Sequence, residues 1–366
     1  MKGYKAFKKG LICRGKQYQE NTVFEEAEAV ICKRGIHFCQ NPLDVLYYYD
    51  LVDDNGDVPE FADVEALDEA VTNDKKKFCT KKLRIGAKLS LKDFINASVS
   101  FLMESAKTED KAESKDFAQL ASSGDSAQLA SSGYNAKLAS SGYFAQLASS
   151  GNFAQLASSG NNAKLASSGN FAQLASSGNS AQLASSGYFA QLASSGDSAQ
   201  LASSGDSAKL ASSGYFAQLA SSGDSAQLAS SGDSAQLASS GYFAQLASSG
   251  NFAQLASSGY NAKLASSGNF AQLASSGNSA QLASSGDFAQ LASSGNSAKL
   301  ASSGENSVVA AIGFRNIAKA SVGSWITLAE YTDEGIVTCV KTEQVDGKRI
   351  KADTFYRLQD GEFTEV

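Results

Sequence analysis

Proline and histidine are nearly missing: two prolines and one histidine among 366 residues, with a single tryptophan and two methionines. With His37 alone, no Ser-His-Asp set stands out, nor does a phosphate-binding glycine loop or a spaced pair of carboxylates. No run of 18 apolar residues exists, so a membrane-spanning helix is not expected. Met1 to Gly15 has no apolar core of a signal peptide, and cytoplasmic synthesis is the resulting expectation. Five cysteines, odd in number and irregularly spaced, fit a reducing compartment. Charge of one sign is scarce as well. The net −6 divides into about −1 before Asp116, −2 from there to Gly304 and −3 beyond. No segment is basic enough to bind nucleic acid by charge.

What is abundant is one nine-residue unit. From Asp116 to Gly304 the chain reads [D/N/Y]-[S/F/N]-A-[Q/K]-L-A-S-S-G twenty-one times without a gap. A continuous helix fails, because nine steps of 100° put successive leucines on opposite faces. A continuous flat strand fails because nine is odd and alternates sides. The chain must turn once per unit, and Ser-Ser-Gly-[Asp/Asn] is turn chemistry: glycine for a left-handed or tightly bent backbone, Asp or Asn to bond its own main chain. A coil of nine is too tight to enclose side chains. The expectation is therefore a β-solenoid of two units per coil, about ten coils stacked to about 50 Å. The calcium-binding nonapeptide pattern requires an aspartate that these units lack.

The unvarying Leu (120, 129 and on to 300) and the Ala two before it share parity and should form the inner ladder. The position before that Ala accepts Ser, Asn and Phe, a volume range that no packed column tolerates, so it should point out. The Gln/Lys position has the same outward parity, and Lys (137, 164, 209, 263, 299) never shares a unit with Phe. The expected result is one outward face of ten phenylalanines. Phe144, Phe153, Phe171, Phe189, Phe216, Phe243, Phe252 and Phe270 are its candidate binding residues, with Tyr134, Tyr143, Tyr188, Tyr215, Tyr242 and Tyr260 at the neighbouring corner. Such a row is normally an interaction surface. Pairing with a second copy is the favoured use, with a glycan or another protein as other partners; nucleic acid, membrane and ice are not expected. A buried Leu yields roughly 1.5–3 kcal/mol, against about 1–2 kcal/mol of backbone entropy for each of nine residues. One unit cannot fold alone, and open coil ends need caps.

The flanks should supply them. Residues 1–115 read as an α/β domain, with strands over 3–13, 17–24, 61–67 and 78–85. A helix should open at Asn41-Pro42 and another at Ser90, before a charged linker from Lys107 to Lys115. Residues 305–366 read as a β-rich cap, with strands over 325–331, 335–341 and 353–358 and hairpin turns at Asp346-Gly347 and Asp360-Gly361. The fold class is mainly β.

The segment Cys32-Lys-Arg-Gly-Ile-His-Phe-Cys-Gln-Asn-Pro-Leu-Asp-Val-Leu, followed by three tyrosines, resembles an uncharacterised family found in phages and prophages. The opening Lys2-Gly-Tyr-Lys-Ala-Phe, the Lys82-Leu-Arg-Ile-Gly strand, the Ser-Gly repeats and the tail extend the likeness. The resemblance implies a phage-type source, in the host cytosol or on the virion, and no known activity. The stretch from Asn306-Ser-Val-Val-Ala-Ala-Ile-Gly to Gly323-Ser-Trp-Ile is similar to the β-roll head repeats of trimeric autotransporters. Gly35-Ile-His-Phe with its tyrosine-ended helix is similar to the nicotinamide-pocket segment of poly-ADP-ribose polymerases. That likeness would set Gly35, His37 and Tyr47–Tyr49 beside NAD. Two departures weigh against it: His replaces the family's Tyr, and no catalytic Glu is placed. Cys13, Cys32, His37 and Cys39 could be read as zinc ligands, but C-x4-H-x-C fits no common finger. No metal and no cofactor are expected.

The reading is a non-enzymatic repeat protein, a rigid spacer with a multivalent, self-associating surface. The rival is a ligand-binding or ADP-ribosyltransferase-like N-terminal domain carried on the solenoid. A polar pocket around His37 would favour the rival; a flat, filled domain would favour the scaffold.

Overall fold

The computed structural model describes residues 1–52, 58–105, 107–108 and 112–366. It is mainly β, with a β-solenoid of about 12 turns over residues 119–328 between an N-terminal sheet domain and C-terminal strands. The chain divides into two compact units, Met1–Ala199 and Gln200–Val366.

The first unit opens on a seven-stranded antiparallel sheet. Its order is Thr22–Glu25, Lys82–Leu89, Glu60–Ala66, Lys2–Phe7, Ile36–Cys39, Lys77–Thr80 and Val71–Thr72. Strand alternation sends Phe7, Ile36, Phe38, Val64, Leu83 and Ile85 into one core. The helix Leu91–Ser105 packs on the other face, where Phe94 stacks on Phe61 with ring centroids 3.9 Å apart. Ser90 and Asp93 form a reciprocal cap at its start. The helix expected at Asn41 is a short 3-10 turn, Pro42–Tyr47, whose Asn41 side chain accepts the Leu43 N–H at 3.2 Å. Of the expected linker, residues 109–111 lie outside the described residues. Lys107–Thr108 and Ala112–Glu113 are short strands that begin the two solenoid sheets.

In both units the solenoid strands pair in parallel with the strand eighteen residues on, Leu on Leu and Ala on Ala, as in Leu138↔Leu156 and Leu246↔Leu264. Two nine-residue units per coil is therefore the observed geometry. From Gln119 to Ser302 each strand is Gln/Lys-Leu-Ala-Ser, and Leu120 to Leu300 are all buried with the Ala two before each. A third inner position is the first Ser, whose hydroxyl in most units accepts the N–H of the glycine two residues on, as at Ser149 and Gly151, 3.2 Å; Ser266, Ser284, Ser293 and Ser302 lack this bond. Ala, Leu and Ser are small enough together to fill the thin interior of an eighteen-residue coil.

The corner chemistry differs from expectation. No repeat glycine has positive φ; the left-handed residue is the one at the Ser/Asn/Phe position, with φ between 55° at Asn261 and 61° at Phe117. Glycine is required for another reason. A Cβ on Gly160 would lie 1.8 Å from the carbonyl oxygen of Gly142, one coil below. Nor do Asp and Asn bond their own backbone. Each reaches one coil along, as when Asp125 Oδ1 accepts the Tyr143 N–H at 2.9 Å and Asn251 Oδ1 the Asn269 N–H at 3.0 Å.

The N-terminal domain does not simply plug the coil end. It lies along the outer face of one sheet, so the outward Ala121, Ala139, Ala157, Ala175 and Ala193 are buried, while Ala130, Ala148, Ala166 and Ala184 on the other sheet are exposed. The expected exposed Gln row is accordingly covered there: Gln155 donates to Asp44 and accepts from Asn41, both at 3.0 Å, and Gln173 is buried beside it.

In the second unit the last parallel strands, Ile317–Lys319 and Trp325–Tyr331, are each joined by an antiparallel strand, Tyr356–Gln359 and Val337–Gln344. Asp360 and Gly361, both with positive φ, close the final hairpin with Glu362–Glu365 as expected. Asp346-Gly347 turns the chain but makes no hairpin, because its flanking strands belong to different sheets.

Candidate functional site

Two surfaces carry chemistry. The first is the aromatic ladder. At two units per coil, neighbouring units occupy different corners, so the ten phenylalanines form two columns and not the single expected face. Residues spaced by eighteen share a column. In the first unit Phe117, Phe153, Phe171 and Phe189 share one column and Phe144 lies in the other; in the second, Phe216, Phe252, Phe270 and Phe288 share one column and Phe243 lies in the other.

In the first unit Phe153, Phe171 and Phe189 stack nearly parallel, centroids 4.9 and 5.1 Å apart. In the second, Phe252, Phe270 and Phe288 stack at 5.0 Å per step, and Tyr242 on Tyr260 at 5.4 Å. Phe144, Phe216 and Phe243 have Ser or Asn eighteen residues to either side and stand 58%, 62% and 57% exposed. Phe153 is the exception among the candidate residues. It is half-buried between Tyr134 and Tyr47 of the N-terminal domain, so it belongs to that docking contact rather than to an open surface.

The second surface is a cleft of about 1210 Å³ in the N-terminal domain. Gly35, His37 and Tyr47–Tyr49, scattered over fifteen residues of sequence, all line it. Lys5 stands at its inner end, 6% exposed, its Nζ donating to the His37 carbonyl at 2.9 Å and lying over the Phe7 and Tyr18 rings at 5.4 and 5.7 Å. Burial pulls the Lys5 amine below its usual pKa, and the Arg14 charge adds to this, against the opposing pull of Cys13. His37 is lowered to about 4, first by burial and then by Arg14, Lys5 and Lys77, so its ring is neutral near pH 7. Tyr18 is pushed up to about 12 by burial, with Cys13 and Glu26 adding to it.

Sequence reasoning missed Lys5, Arg14 and Tyr18. A signal existed: Lys5 occupies the inward slot of the alternation Gly3, Lys5, Phe7 in the first strand, where an apolar residue belongs.

The cysteines read as possible zinc ligands are dispersed in their bonding. His37 Nε2 accepts the Cys32 N–H at 2.9 Å, and Cys13 Sγ accepts from the Tyr49 hydroxyl at 2.8 Å. Cys39 is buried within the sheet, its thiol raised by desolvation. Cys13, Cys32, Cys39, Cys79 and Cys339 are all free thiols. Among the described residues no group of three or more His, Cys, Asp or Glu is placed to hold a metal ion, and no helix is long and apolar enough to cross a membrane.

Fold and surfaces together define a β-solenoid repeat protein with an appended sheet domain. Residues 1–97 match the model of a family described as a domain of unknown function, DUF7666. No curated protein and no solved structure matches the chain.

Proposed function

We propose that this is a non-enzymatic repeat protein of phage type. Its solenoid acts as a rigid spacer, and its aromatic columns join it to a second copy of itself. One observation carries the reading: ten phenylalanines occupy left-handed backbone positions, where a bulky side chain is strained, and nine of them still stand between 41% and 64% exposed. A residue that weakens its own coil and buries little serves something outside the coil. The stacked rings repeat at the coil spacing, so an identical column meets them in register, and a two-fold pair needs only one self-complementary patch. Each ring so buried adds about 1–3 kcal/mol before the costs of association. Light scattering across a concentration series tests this. Mass should rise above one chain; a strict monomer at high concentration removes self-association and transfers the columns to a glycan or another protein.

A second reading has its own support. The cleft gathers polar groups around His37, which favours a ligand-binding N-terminal domain for which the solenoid is the scaffold. The ADP-ribosyltransferase form of it would place NAD beside Gly35, His37 and Tyr47–Tyr49, and Glu26 and Glu28 are the glutamates that line the same space. Thermal-shift measurement with NAD tests that form; no shift at millimolar NAD sinks it.

A further inference from the structure

The cleft's charge is out of keeping with its chain. Eight lysine and arginine side chains line it against three carboxylates, in a protein whose net charge is −6. Two cations and two carboxylates of that lining pair with each other, Lys16 with Glu26 at 2.6 Å and Arg34 with Glu28 at 3.2 Å, so the excess of positive charge stands. The groups around the buried Lys5 amine are the His37 carbonyl, the Cys13 and Cys39 thiols, the Phe7 and Tyr18 rings and the Arg14 guanidinium. Among the described residues no carboxylate faces it. A buried amine without a carboxylate partner is costly to charge, and a second cation, Arg14, lines the same cleft.

We infer that the cleft binds a small phosphorylated molecule whose phosphoryl oxygens lie between Lys5 and Arg14. The inference rests on the ligand-binding reading above and names its ligand class. Phosphoryl fits better than a single carboxylate on two counts. The excess of cations suits a multiply charged anion, and Arg14 offers a planar fork while Lys5 offers a point charge, the pair of donors that phosphates take. The volume also holds more than an isolated anion. Tyr47, Tyr48 and Tyr49 line the same space, so a flat ring attached to the phosphate has aromatic faces to meet. Arg14 is exposed in the tight hairpin between Ile12–Cys13 and Lys16–Gln17, where it can swing onto a ligand without disturbing the core.

Calorimetric titration of the full chain with pyrophosphate and with ADP tests this. Both should bind, with ADP the tighter if its ring is used. Affinity should fall about tenfold in Arg14→Gln, an exposed site at which folding is preserved, and should weaken with added salt. Unchanged affinity in Arg14→Gln would place the ligand elsewhere and overturn the inference. If neither ligand binds, labelling by pyridoxal and borohydride separates the two possible failures. Capture of Lys5 as the reduced imine means the cleft is open to small molecules, so ligand binding stands and the phosphoryl assignment is wrong. No capture means the cleft is closed, and both fall.

Discussion

The left-handed phenylalanines make a prediction whose two halves have opposite signs. Phe144, Phe216 and Phe243 have φ of 58°, 57° and 58°, and no ring stands eighteen residues away to stack on them. Asn135, Asn162 and Asn261 hold the same slot at 56°, 59° and 55°, and asparagine tolerates that region far better than an aromatic residue. The left-handed conformation costs an L-residue roughly 1–2 kcal/mol, and asparagine recovers about 1 kcal/mol of it by local hydrogen bonding. The exposed rings bury little, so little packing is lost in exchange. Each change sits in a different coil, and the three gains should add to about 3 kcal/mol. The triple variant Phe144→Asn, Phe216→Asn, Phe243→Asn should therefore unfold at higher urea than wild type when both are dilute monomers. At high concentration the same variant should show a lower mass by light scattering, because it has lost part of the proposed interface. A lowered urea midpoint would mean the rings stabilise their own chain and refute the strain argument. An unchanged mass would refute the interface.

The packing yields three further outcomes. Gly250→Ala should break its coil, since the new Cβ would lie 2.1 Å from the Gly232 carbonyl oxygen, inside any van der Waals limit; hydrogen exchange should report the opened strands around it, whereas native protection there would show the stack can spread. Gln155→Ala should cost about 2–4 kcal/mol by leaving Asn41 and Asp44 buried without their partner, read as earlier unfolding of the N-terminal domain in limited proteolysis; unchanged cleavage would mean the docking does not depend on that network. The third concerns His37, held near 4 in the fold against 6.5 when unfolded: its contribution is fully present above about pH 6.5 and is lost as pH falls towards 4, because the unfolded chain takes up the proton first. His37→Gln should flatten stability over that window, and an unaltered pH profile would show that the ring titrates freely.

The difference between what the sequence announces and what it hides is a difference in the range of the forces involved. The solenoid is legible because its signal is repeated: a Leu and an Ala at fixed parity, twenty-one times over, admit only a chain that turns once per unit and stacks. The roles within the turn are not. Glycine and a left-handed backbone go together so often that the repeat glycine is the natural candidate for that conformation. Its real constraint is the carbonyl one coil below, a contact eighteen residues distant that no local pattern encodes. The left-handed slot passes to a position marked only by its tolerance of Ser, Asn and Phe. That tolerance signals exposure correctly; its backbone meaning stays hidden because phenylalanine is a poor occupant. The split into two columns is within reach, since two units per coil already places adjacent units at different corners. The N-terminal cleft is legible only in part: the likeness to a nicotinamide-pocket segment picks out Gly35, His37 and Tyr47–Tyr49, while the cationic residues stay hidden. Lys5, Arg14 and His37 come from separate elements, and only the pairing of Lys2–Phe7 with Ile36–Cys39 brings two of them together. Lys5 alone leaves a local trace, a charge in a core slot. A buried cation of that kind calls for an anion, and it is the one residue from which the cleft's chemistry can be foreseen.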